Sequence, residues 1–303
     1  MKVTFIIFSP TGNTLKVART MENSLKAKDV EVQLIDLTRD PVFFNGNNKD
    51  KLSYLNEKIK QHDLLCLGGP VYAHHLHFNI LNIIKELPKP NEKWGKLATS
   101  FITYGGISSG LALIESVKLL KKSGRIPALA MKINSEHCMT KLKYISTKIN
   151  EGMPGEEAIP FIEDFVEKII LLKNKDNVEI LNIIPQLKYL KFIDRMKDKI
   201  IFREKIWQKY LYPKIFIDYN KCTKCGICSE ICPVQRIEMT DKGPIIPKNS
   251  HLCVHCVSCM IHCPVEAITS NVNWNLYNKL LKEAAEGRGP IQTNEKPRSA
   301  VYG

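Results

Sequence analysis

Through the first half of the chain, short apolar runs alternate with amphipathic stretches. Residues 2–8 are almost wholly apolar, as a buried parallel strand requires. Further strands are predicted at Val30–Asp36, Asp63–Gly69, Leu97–Tyr104 and Arg125–Ile133. Helical stretches separate them at Leu15–Lys28 and near 50–61, 77–87 and 109–123. A closing helix is expected at about 156–172, where Glu156 and Glu157 suit the positive end of the helix dipole and Pro160 is tolerated in the first turn. Strand–helix alternation of this kind predicts an α/β, doubly wound parallel sheet.

The second half reads differently. Residues 173–214 mix basic residues with Tyr189, Phe192, Phe202, Trp207, Tyr210 and Tyr212, and predict a basic, aromatic, helical connector. Residues 215–272 are cysteine-rich, a short helix is expected at 274–287, and 288–303 is polar enough to predict poor order. The predicted domains are therefore 1–172, 173–214, 215–272 and a helix with tail at 273–303.

The chain of 303 residues carries a formal charge of +13, distributed unevenly. Residues 1–150 contribute +10 and the connector +6, whereas 216–272 balance at zero. The cations are dispersed and no nucleic-acid motif accompanies them, which argues against nucleic acid. They favour acidic redox proteins as partners, or an anionic cofactor. No apolar stretch is long enough to predict a transmembrane helix. The connector can be read as a peripheral membrane segment, but packing between domains is the favoured expectation. The absence of a recognisable secretory signal, with clustered thiols, predicts a reducing, cytoplasmic setting.

Eight of the ten cysteines fall in two runs: Cys222, Cys225, Cys228, Cys232 and Cys253, Cys256, Cys259, Cys263, each closing on proline. The repeat continues past the ligands, since Pro233-Val234-Gln235-Arg236-Ile237 matches Pro264-Val265-Glu266-Ala267-Ile268. Zinc sites usually join two separated cysteine pairs, whereas here three thiols fall within seven residues, twice. The spacing resembles that of bacterial ferredoxins, in which three cysteines of one run and the last of the other hold each cubane. That resemblance assigns one [4Fe-4S] cluster to Cys222, Cys225, Cys228 and Cys263, and a second to Cys253, Cys256, Cys259 and Cys232. Gly226 lies between two ligands, where a positive φ costs it least. Of the remaining cysteines, Cys66 reads as a buried strand residue and Cys138 as a bystander.

A second chemistry follows the first strand. Ser9, Pro10, Thr11, Gly12, Asn13 and Thr14 form a small hydroxyl-rich loop before a helix, where backbone N–H groups and the helix dipole favour a phosphate. Neither the nucleotide P-loop nor the dinucleotide fingerprint is present. The loop resembles the one that holds the FMN phosphate in flavodoxins. In their strand order, 2-1-3-4-5, the ligand lies at the carboxyl ends of the strands. Pro70, Val71, Tyr72, Ala73 and His74 after the third strand, and Tyr104, Gly105 and Gly106 after the fourth, occupy the two places that clasp the flavin ring. Either Tyr72 or Tyr104 is the candidate to stack on it. His74, His75 and His77 are candidates to donate a proton to reduced flavin, against the plainer reading of a solvated loop.

Taken together, the chain resembles the flavodoxin–ferredoxin fusion family of anaerobes, a flavodoxin-like domain followed by a small α+β two-cluster ferredoxin domain. The resemblance implies FMN and two [4Fe-4S] clusters as cofactors. It implies electron transfer between them within one chain, coupling one-electron carriers to flavin chemistry. The alternative is a flavin-dependent oxidoreductase that reduces a small-molecule acceptor such as a quinone, fed by the clusters. A redox sensor is a third reading that no motif supports.

Overall fold

The computed structural model describes residues 1–45, 48–173, 182–188, 192–203, 206–207, 212–247, 253–286 and 298–303. Its largest element is a sheet of five parallel strands with an antiparallel edge. These are β1 (Lys2–Ile7), β2 (Glu31–Asp36), β3 (His62–Tyr72), β5 (Trp94–Tyr104) and β6 (Ile126–Asn134). A two-residue strand, β4 (His75–Leu76), folds back on β3. With β11 (Ala300–Tyr302) at one edge, the sheet order is β11-β6-β5-β3-β1-β2, so the five parallel strands follow the order 2-1-3-4-5 that the flavodoxin resemblance implies.

Alternation along β1 sends Val3, Phe5 and Ile7 to one face and Ile6 to the other, and all are buried. On the first face lie α1 (Asn13–Lys26) and α6 (Ile159–Lys173). Val17, Met21 and Leu25 of α1 recur every four residues and are at most 1% exposed, each burial favouring the fold by about 1.5–3 kcal/mol. The other face is covered by α3 (Asn48–Lys58), α4 (Phe78–Glu86) and α5 (Ala112–Lys122); a short α2 (Pro41–Asn45) precedes α3.

The C-terminal end of the chain departs from expectation. Residues 288–297 lie outside the described residues, but Ala300–Tyr302 forms β11, an ordered edge strand antiparallel to β6. The β-branched and aromatic side chains of Val301 and Tyr302 suit a pleated edge, and pairing covers what would otherwise be an open edge of β6. Thus the tail rejoins the first module.

Between them lies the cysteine-rich module. β7 (Ile215–Ile217) pairs with β10 (Ile268–Ser270), and β8 (Glu238–Thr240) with β9 (Gly243–Ile245). Short helices follow each cysteine run's tight loop: α8 (Ile227–Ile231) and α9 (Ser258–Ile261); α10 (Trp274–Ala285) closes the module. In the connector, Tyr189 and Tyr210 lie outside the described residues, and α7 (Phe192–Ile201) is helical. The two modules are hydrogen-bonded to each other: Arg39 N donates to Pro233 O at 2.8 Å, and Gln235 Nε2 to Arg39 O at 3.1 Å.

Candidate functional site

At the carboxyl end of β1 the chain turns through Ser9–Gly12 into α1. Gly12 is the N-cap, with φ +86°, no side-chain cap, and open space where a Cβ would stand. With no side chain on its N-cap residue, the start of α1 leaves room for an oxyanion beside its first amides and the positive end of its dipole. Thr11, Gly12 and Asn13 reach the surface there, and Asn13 Nδ2 donates to Glu136 O at 3.4 Å. Ser9 and Thr14 are buried instead and hold the loop in shape. Ser9 Oγ accepts from Leu15 N at 2.8 Å, Ser9 N donates to Thr38 Oγ1 at 2.7 Å, and Thr14 Oγ1 pairs with Thr103 Oγ1 at 2.8 Å.

The two loops expected to clasp a ring meet each other. β3 runs on through Pro70, Val71 and Tyr72 and reverses at Ala73 and His74, both at positive φ, into β4. The His74 carbonyl accepts from Leu111 N at 2.7 Å, tying this hairpin to the loop after β5. In that loop Gly106 has φ +75°, and a Cβ there would meet Asn150 Nδ2 at 1.9 Å. Residues 134–150 thus close over Gly105 and Gly106, with Asn150 Nδ2 donating to Asn134 Oδ1 at 2.8 Å. Tyr104 is buried, and its hydroxyl donates to Arg298 O at 2.6 Å. Tyr72, half-buried, is the aromatic left at the rim.

The three histidines are not a solvated cluster. His74 Nδ1 lies 2.9 Å from Asp198 Oδ1, and the ring stacks on Phe202 at 3.8 Å. His75 Nδ1 lies 2.8 Å from Glu115 Oε1. His77 caps α4 by accepting from Asn79 N at 3.2 Å. Burial drives the His77 pKa down to about 3, reinforced by His255. A neutral His77 that accepts at Nδ1 keeps its proton on Nε2 and cannot act as an imidazolium acid near pH 7.

Each set of four cysteines lines a cavity of its own. Cys222, Cys225, Cys228 and Cys263 surround a narrow one with Pro244, Val265 and Ile268. Cys232, Cys253, Cys256 and Cys259 surround a larger one, about 330 Å³, with Val254, Ile246 and Arg236. The quartets mix the two runs in the crossed manner the spacing implies. Backbone N–H groups reach the thiols: Arg236 N lies 3.2 Å from Cys232 Sγ and Ala267 N 3.2 Å from Cys263 Sγ, repeating the same contact thirty-one residues apart. His255 N adds a longer one to Cys253 Sγ at 3.4 Å. The duplication extends to the backbone, where Lys224 and His255, Gly226 and Val257, and Gln235 and Glu266 share positive φ values. Soft thiolates around an apolar cavity, with amides directed at sulfur, fit an iron–sulfur cubane.

The second cavity adjoins the first module. Cys232, Val234, Val254 and Cys256 belong to the same apolar cluster as Phe8, Leu76 and Ile80. Tyr72 stands at this seam, within electrostatic reach of Cys253, Cys256 and Tyr212, and its hydroxyl lies beside the Cys138 thiol. Burial pushes Cys138 up to about 11, so it stays a thiol. The sequence presents Cys138 as a bystander and does not single out Thr38, Thr103, Asn134, His137 or Asn150. His137 is half-buried, its imidazole held near pKa 4 by desolvation, and Nδ1 has no hydrogen-bond partner among the described residues. His137 and Cys138 were adjacent in sequence, but nothing local marked them as lying against Gly105 and Tyr72.

Comparisons with known proteins agree with this arrangement. Residues 1–123 match the family model of NADPH-dependent FMN reductase, and 221–267 that of the 4Fe-4S dicluster domain. The chain joins a flavodoxin-like domain to a dicluster ferredoxin domain. Its cofactors are FMN and 4Fe-4S clusters. A ferredoxin of Pyrobaculum islandicum is 36% identical over 62 residues, covering 19% of this chain and 53% of that protein. The chain therefore spans about half the length of this curated relative. Among solved structures, oxidised flavodoxin 1 of Bacillus cereus is 15% identical with a TM-score of 0.38, covering 56% of this chain and 98% of that one. An NADH:FMN oxidoreductase is 17% identical with a TM-score of 0.43, covering 59% and 92%. Among the described residues, no helix is long and apolar enough to cross a membrane.

Proposed function

We propose that this chain transfers electrons internally between its clusters and its flavin. Cys222, Cys225, Cys228 and Cys263 hold one cluster, and Cys253, Cys256, Cys259 and Cys232 the other. The Ser9–Thr14 loop takes the FMN phosphate, with the 70–74 and 104–106 loops at the ring. When bound, the clusters pass single electrons and the flavin accepts one or two.

The observation that carries this reading is the seam: Cys232 and Cys256 share one apolar cluster with Phe8 of the phosphate-loop strand, and Tyr72 lies between. The chain's own residues do three things there. Phe8, Leu76, Val234 and Val254 exclude water from the gap. The Arg236, His255 and Ala267 amides stabilise negative charge on sulfur, which raises the potential of the sites they touch. Tethering replaces diffusive docking of two proteins by a fixed contact. The external partner on this reading is a one-electron redox protein, acidic enough to suit the basic first domain.

Stopped-flow reduction of the anaerobically purified chain tests it. Cluster bleaching should be followed by flavin reduction in a phase whose rate is independent of protein concentration. A flavin that stays oxidised while the clusters are reduced, at potentials that permit transfer, would refute the coupling. A reductase of a small acceptor is the second reading, supported by the match to the FMN reductase model. Multiple turnover with a quinone would favour it.

A further inference from the structure

The connector divides its side chains between two surfaces. One side of α7 is anchored: Asp198, 5% exposed, meets His74 at 2.9 Å, and one turn on Phe202 stacks on the same imidazole. From there a run of rings continues inward, through Trp207 and Tyr212 to His255. That is the packing between modules expected of this stretch.

The opposite side is not packed. Phe192, Met196 and Ile200 recur every four residues and are 69%, 41% and 56% exposed. At 100° per residue these positions fall in one stripe about 80° wide. Lys199 and Arg203 are exposed beside the stripe, and the Arg195 guanidinium lies 5.8 Å from the Phe192 ring centre. Asp198, which would repel an anionic surface, is turned inward and occupied by His74. The stretch 173–214 carries +6 and the chain +13.

We propose that this face of α7 docks the protein on an anionic lipid bilayer. The apolar stripe enters the boundary between headgroups and acyl chains, and the cations of Lys199 and Arg203 reach the lipid phosphates on their flexible stems. A protein partner would need a hydrophobic groove shaped to this convex stripe and carboxylates placed beside it. A fluid anionic leaflet supplies both to any convex amphipathic helix, so charge and shape favour lipid. The contact lies on the surface of the bilayer, and it stands whether or not the clusters exchange electrons with the flavin.

The test is flotation of the full-length, cofactor-loaded chain with vesicles of phosphatidylcholine alone or mixed equally with phosphatidylglycerol. The protein should rise with the mixed vesicles, remain behind with phosphatidylcholine, and be released by high salt. The variant F192S/M196S/I200S should lose roughly tenfold of its vesicle-bound fraction. Its visible spectrum and melting temperature should match the parent, because the three side chains are exposed. K199E/R203E should show a similar loss, which checks the charge term with the stripe intact. Wild-type protein that stays out of the anionic vesicles would overturn the proposal, as would a serine variant that floats like the parent. So would wild-type protein that ignores vesicles yet binds an acidic protein through Phe192 and Ile200, which would reassign the face.

Discussion

The Cys138 thiol lies beside the Tyr72 hydroxyl at the boundary between the flavodoxin-like domain and the Cys253/Cys256 loop. Two residues sixty-six positions apart thereby meet where the two modules adjoin. Tyr72 is further braced edge-on by His77, at 5.2 Å between ring centres, and His77 lies 4.6 Å from Phe8.

Tyr72→Phe keeps the ring and removes the hydroxyl. Stability should change by about 1 kcal/mol or less. The intramolecular cluster-to-flavin phase should slow several-fold in stopped-flow, whereas Tyr72→Ala should slow it further and destabilise the chain by about 1–3 kcal/mol through lost packing. An unchanged rate in both variants would remove Tyr72 from the path.

On the proposed crossed ligation the two runs are interdependent. Cys263→Ser should perturb the cluster held by Cys222, Cys225 and Cys228, although Cys263 belongs to the other run. Low-temperature EPR of the reduced variant should show one cluster signal altered and the Cys253/Cys256/Cys259 signal retained. The opposite pattern would mean each run keeps its own four ligands.

Gly106→Ala places a methyl group where Asn150 Nδ2 stands and puts alanine at φ +75°. Backbone strain alone costs about 1–2 kcal/mol. FMN affinity, followed by quenching of flavin fluorescence, should fall roughly tenfold. Asn150→Ala alone should weaken it less, since no strain accompanies that change.

Acid sensitivity follows from the buried imidazoles. Burial lowers His77 to about 3 and His137 to about 4, from an ordinary 6.5. A folded pKa below the unfolded one means that the unfolded chain binds more protons between these values. Stability is therefore intact above pH 6.5 and is lost as pH falls towards 3. At pH 5 each residue accounts for about 2 kcal/mol. His77→Asn retains an N-cap acceptor without the titration, so its denaturation midpoint should fall less between pH 7 and pH 5 than that of the parent.

Much of the site was legible without coordinates because its chemistry is local. Three cysteines within seven residues suit one cube by their spacing alone, and a helix that starts after an apolar strand at a glycine offers amides to a phosphate wherever the sheet lies. The duplicated run even forecast Gly226 at positive φ. It did not forecast Val257 at the matching place, where a β-branched residue adopts φ +54° because the metal-binding loop imposes that turn. The histidine-rich hairpin was legible as a loop but not as a set of anchors, since Asp198, Glu115 and Asn79 are recruited from three separate helices.

By itself the sequence determined the alternation of strands and helices, the hydroxyl-rich loop before α1 and the two runs of four cysteines, each fixed by periodicity or spacing within a few residues. Only the tertiary structure decided that Ala300–Tyr302 returns to the sheet, that Cys138 meets Tyr72, and which side of α7 faces out. Those depend on contacts between distant segments, whose energies come from burial and shape shared by both partners, and neither partner carries such information alone.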